Sequence, residues 1–182
     1  MTDNKLTDSE ITEKNAKQKT RSIPGLSKAV FSDPAMLLAF GLGSGLSRIM
    51  PGTMGTLAAL PFYLLLAKLD LVFYTLVVIG AFVFGVWLCA YASKKLGVHD
   101  HSGIVWDEFV GYWLTMLAIP LNWKTVLVGF VLFRFFDMLK PWPISLADKY
   151  LHGGFGIMFD DILAGVAAWA CLYTLVSYGV LV

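Results

Sequence analysis

Charge is scarce in this sequence. Asp, Glu, Lys and Arg account for 15% of its 182 residues, where a soluble domain carries about 25%. With 57% hydrophobic and 14% aromatic residues and a mean hydropathy of +0.68, that deficit indicates an integral membrane protein of one domain. Cysteine is nearly absent. Cys89 and Cys171 both lie inside apolar runs, which marks them as buried packing residues rather than a disulfide or a nucleophile. Neither is followed by five residues and an arginine, so a cysteine phosphatase is set aside. The N-terminal stretch lacks an apolar core, so no cleavable signal peptide is expected. GLGSG (41–45) has neither the ending of a phosphate-binding P-loop nor the glycine spacing of a dinucleotide loop. Asp-x-Asp, Pro-Ser-Gly-His and the Asp-Gly-x-x-Ala-Arg pattern of CDP-alcohol phosphotransferases are also missing. A net charge of +1 singles out no partner, and nucleic acid is not expected as one.

What is present is a set of long apolar runs. Residues 71–92 and 162–182 contain no charge and are long enough to cross a core of about 30 Å. Residues 56–67, 109–121 and 125–138 are apolar but shorter, and 35–47 is broken by glycine, like an interfacial or re-entrant segment. Lys68-Leu69-Asp70 and Asn122-Trp123-Lys124 look like hairpin turns. The expected fold is therefore all-α: a membrane bundle of about five apolar helices, two hairpins plus a final helix. A polar, flexible N-terminal tail (1–32) precedes a membrane-embedded domain (33–182). All fourteen Lys and Arg except Lys68 and Lys124 fall on the side of the long polar connections, which makes that side cytoplasmic by the positive-inside rule. Trp106 and Trp142 suit an aromatic belt there.

The acids gather on the same side. Asp107 and Glu108 open the third helix, Asp137 ends the fourth, and Asp160-Asp161 open the fifth. Helix capping explains an acid at an N-terminus. It does not explain Asp137, at a C-terminus that disfavours an anion, although Arg134 one turn earlier is a natural partner. Ionisable groups at the edge of a bundle are costly unless paired or functional. Five converging carboxylates repel unless a cation lies among them, and oxygen-only donors suit Mg²⁺. Gly111, Ala164 and Gly165 each follow an acid by four residues, leaving space for a neighbouring helix or an ion. Lys140 and Arg134 are candidate phosphate partners. Thr53, Gly55 and Thr56 of PGTMGT form a candidate phosphate loop ahead of a helix, and HGGFG (152–156) a flexible approach to the acid pair. In His99-Asp100-His101, His101 is a candidate acid/base.

Four blocks, SGLSRIMPGTMGTLAALP, GVHDHSGIVWDEFVG, FRFFDMLKPWPI and HGGFGIMFDDILAG, stand in this order between about Asp33 and Ala168. Together they closely resemble the bacterial phosphatidylglycerophosphatase A family. The resemblance implies a Mg²⁺-dependent phosphatase of the bacterial inner membrane, multi-pass and with a cytoplasmic active face. Its substrate would be a phospholipid, phosphatidylglycerophosphate, and its products phosphatidylglycerol and phosphate. On that footing Glu108, Asp137, Asp160 and Asp161 are expected to hold metal, with Asp160 the inward member of the pair. Lys140 and Arg134 are expected to stabilise phosphate charge, and Asp107 or His101 to relay a proton. Water attack and an aspartyl-phosphate intermediate both remain open. The competing class is an ion-coupled transporter using the acids as a relay.

Overall fold

A computed structural model of the chain describes residues 23–98, 101–142 and 144–181. Among these there is no strand. The chain runs through α1 (Leu26–Phe31), α2 (Pro34–Ala39), a 3-10 segment (Gly41–Leu46), α3 (Pro51–Leu66), α4 (Leu71–Leu96), α5 (Trp106–Thr115), α6 (Trp123–Leu139), α7 (Ile144–Tyr150) and α8 (Gly153–Ser177). Helices α3, α4, α5, α6 and α8 cover the five apolar runs, but only α4 and α8 are long and apolar enough to cross a membrane.

Local chemistry sets the ends. Asp33 caps α2 through the N–H groups of Ala35 and Met36. The Lys95 side chain pairs with it and Tyr91 donates to it at 2.8 Å. The ammonium, with lesser help from the phenol, holds the Asp33 carboxyl well below the usual carboxylate range. Asp70 caps α4 through Val72 and Phe73. Asn122 and Thr125 form a capping box that starts α6.

Helix α8 is the spine, packing against α4, α5, α6 and α7, while α3 covers the far side of α5. The ten-residue α5 is accordingly buried on almost every face. Five hydrogen bonds pin it: Tyr74 Oη donates to Trp113 O (2.7 Å), Trp113 Nε1 to Ala59 O (3.1 Å), Trp106 Nε1 to Ala81 O (3.1 Å), Tyr112 Oη to Val126 O (3.2 Å) and Thr115 Oγ1 to Gly165 O (3.4 Å). Helix α4, by contrast, turns Val72, Phe73, Val83 and Trp87 outward.

Several sequence expectations need correction. Helix α8 begins at Gly153, so Asp160 and Asp161 lie two turns inside it rather than at its mouth. Gly154 and Gly156 are contact residues rather than a flexible approach: a Cβ on Gly154 would sit 1.9 Å from Val86 O of α4, and one on Gly156 2.4 Å from Leu151 O, while Gly153 supplies a left-handed turn (φ 75°). PGTMGT is likewise no loop. Pro51 takes the first helical position, where it costs no hydrogen bond, and the stretch forms the first turns of α3. Cys171 is exposed on α8, whereas Cys89 is buried, because an apolar helix has outward positions as well as packed ones. Residues 35–47 need no correction: they fold as α2 and a 3-10 segment broken at Gly41–Gly43; α1, within the expected tail, buries Val30. The remainder of that tail (1–22), together with His99 and Asp100, lies outside the described residues.

Candidate active site

Two glycines set the site. Gly111 follows Asp107 by four residues on α5, and Gly165 follows Asp161 by four on α8. The helices touch there: a Cβ on Gly165 would lie 2.7 Å from Gly111 O, and one on Gly111 would lie 3.0 Å from Asp161 O. Backbones this close bring the acids one turn away together. Asp107, Glu108 and Asp161 each offer a carboxylate oxygen within 4.8 Å of the others. All three are buried.

The basic residues come from α6. Arg134 Nη1 lies 2.6 Å from Asp137 Oδ2 and 3.8 Å from Glu108 Oε1. Lys140, the left-handed C-cap of α6 (φ 42°), reaches across to pair with Asp160. A cavity of about 340 Å³ joins these groups, walled by all five acids, both bases, Ser102 and Gly156. Asp160 and Asp161 therefore both face it, with different neighbours: Lys140 for the first, Asp107 and Glu108 for the second.

Inside the cavity, Glu108 Oε2 and Asp161 Oδ2 are buried without a hydrogen-bond partner among the described groups. Buried, unpaired carboxylate oxygens this close are costly. Their chemistry, hard and oxygen-only, fits a divalent cation such as Mg²⁺.

Not every sequence candidate reaches this cavity. Gly55 faces Val105, and Thr56 Oγ1 donates back to Gly52 O at 2.9 Å inside α3. Thr53, half-buried on the same helix, is not among the lining residues. His101 is buried against Phe40 and lines a neighbouring cavity instead. Gly156, the last residue of HGGFG, does line the acid cavity, as do Ser102 and Met50, whose side chains no sequence motif singled out. Gly52 was legible in the sequence as a glycine of PGTMGT that permits close backbone approach to an anion, not as the neighbour of Glu108 and Arg134. A Cβ there would come 2.3 Å from Glu108 Oε1 and 3.0 Å from Arg134 Nη2. Gly52→Ala is thus expected to displace the Glu108–Arg134 pair and lower kcat/KM at least tenfold. The check is kinetics beside a thermal melt, in which Tm should fall by only a few degrees.

Clustered acids with an arginine and a lysine, set at one end of an apolar helical protein, are the equipment of an enzyme that handles lipid phosphate esters. The comparisons narrow that class. A family model for Phosphatidylglycerophosphatase A matches residues 37–176. Escherichia coli (strain K12) Phosphatidylglycerophosphatase A is 54% identical over 81% of this chain and 86% of its own. The Haemophilus influenzae protein of the same name is 46% identical over 79% of this chain and 89% of its own. No solved structure matches. The chain belongs to the phosphatidylglycerophosphatase A family. The ion-relay alternative finds no support in these relatives.

Proposed function

We infer that this protein is a phosphoric monoester hydrolase that removes the terminal phosphate of phosphatidylglycerophosphate, leaving phosphatidylglycerol. The observation that carries the reading, beside the family membership, is one cavity holding both the Asp107–Glu108–Asp161 trio and the bases Arg134 and Lys140.

In this reading the trio holds a divalent cation, Mg²⁺ in the first instance, with Asp160 and Asp137 at its margin. Such an ion supplies charge neutralisation at phosphorus and a lowered pKa for water. The chain's own residues do the rest. Arg134, kept in place by Asp137, presents its guanidinium to phosphate oxygens. Lys140, steered by Asp160, adds a point charge and holds at Nζ a proton for the departing glycerol oxygen. Water forms the new P–O bond as the bond to glycerol oxygen breaks. Of the two proton-relay candidates, His101 faces another cavity and Asp107 belongs to the trio, so Lys140 is the better placed proton donor.

The apolar outer faces of α4 and α8 suit a bilayer. Lys94, Lys95, Arg134 and Lys140 belong to the end that carries the acids, with Lys68 and Lys124 at the other. That asymmetry supports a multi-pass protein with its active end in the cytoplasm of a bacterium, where a headgroup reaches the site without leaving the membrane. Phosphate release from phosphatidylglycerophosphate in neutral detergent micelles tests the activity. EDTA is expected to lower the rate at least a hundredfold and excess Mg²⁺ to restore it; a rate indifferent to EDTA would remove the cation from the site.

A further inference from the structure

A second cavity, of about 630 Å³, lies against the first and shares Ser102 with it. It is walled by the start of α1, the end of the 3-10 segment and the loop before α5. The wall is fixed by backbone contact: a Cβ on Gly45 would stand 2.0 Å from Gly103 O. Its lining differs in charge from that of the acid cavity. Among the described residues it contains Arg48, His101, Ser27 and Ser47 and no acid. His101 Nδ1 accepts the Gly103 N–H at 2.9 Å, so the neutral ring carries its proton on Nε2.

The acid cavity and its neighbour thus offer two sites of different character side by side, one for a cation and a phosphate, the other for an anion alone. The lipid of the proposed reaction has a matching pattern. Its terminal phosphate monoester is joined through one glycerol to a phosphodiester. We propose that the Arg48 cavity receives the phosphodiester anion of the lipid substrate while the monoester occupies the acid cavity, with Ser102 at the junction. Arg48 is then a specificity residue: it touches a part of the substrate that does not react, and it favours a lipid with two anionic groups over one with a single phosphate. This inference rests on the proposed phosphatase function.

The test uses the full-length protein in neutral detergent micelles at fixed lipid mole fraction. Turnover of phosphatidylglycerophosphate by the wild type is measured first; its absence would overturn the proposed function and the subsite with it. Given turnover, Arg48→Ala should raise KM about tenfold, as loss of one charge-assisted contact does, with kcat within about twofold, and Arg48→Lys should recover part of the loss. Phosphatidylglycerol keeps the phosphodiester but lacks the monoester, so its inhibition should weaken by a similar factor. Inhibition by inorganic phosphate, directed to the acid cavity, should not change. Lys28→Ala removes a charge from exposed surface outside the cavity and should leave KM alone. An unchanged KM in Arg48→Ala, an equal effect of Lys28→Ala, or an equal weakening of phosphate inhibition would each overturn the subsite while leaving the phosphatase reading intact.

Discussion

Asp161→Asn is expected to lower kcat by about a thousandfold or more, since it removes one charge from the trio in a water-poor site. The substitution keeps shape and volume, and it deletes a like charge from a buried cluster, so the fold should survive. A thermal readout separates this from simple damage. Wild-type protein should gain Tm on adding Mg²⁺, because the ion binds the folded state alone. Asp161→Asn should melt at or above the wild-type temperature in EDTA and gain little from Mg²⁺. A variant that keeps both activity and the Mg²⁺ shift would take Asp161 out of the trio.

Gly165→Leu should be nearly as severe through geometry instead of charge. Even a Cβ at this position meets Gly111 O at 2.7 Å, and Thr115 Oγ1, which donates to Gly111 O at 2.9 Å, lies in the same crossing. The larger side chain must push α5 from α8, costing about 1–3 kcal/mol as overpacking does. It also separates Asp161 from Asp107 and Glu108. A shift near 1 Å in such a site lowers turnover on the order of a hundredfold. The measurement is kcat beside Tm. A stable variant with normal kcat would mean that the crossing does not set the acid geometry.

Long features were legible in the sequence and close contacts were not. The uncharged run at 71–92 foretold α4 because length and hydropathy suffice for that inference. The acids stood out for the same reason, as isolated charges in an apolar chain. The starts of α3 and α8 were obscured because proline and glycine carry two meanings, turn former and close-contact residue, and only packing distinguishes them. Which of Asp160 and Asp161 sits beside Asp107 and Glu108 posed a related problem, since both face the cavity. Neighbouring helical residues point about 100° apart, so the answer depends on how α8 is rotated. A signal existed: Gly165, four residues beyond Asp161, is smaller than Ala164, four beyond Asp160, and the smallest pair marks the closest helix crossing. The placement of His101 had no such signal, since it depends on the 3-10 segment meeting the 101–105 loop.

Lys140 has a left-handed backbone and an ammonium that crosses to α8. A position with both demands is a narrow evolutionary corner. Glycine satisfies the turn and loses the cation, while arginine keeps the cation but replaces a point charge with a broad planar fork. Neither single exchange leaves both properties whole. A lineage that gave up this lysine would have to rebuild the chain reversal and the cross-helix cation at two separate places, and in the meantime Asp160 would have lost its Lys140 partner.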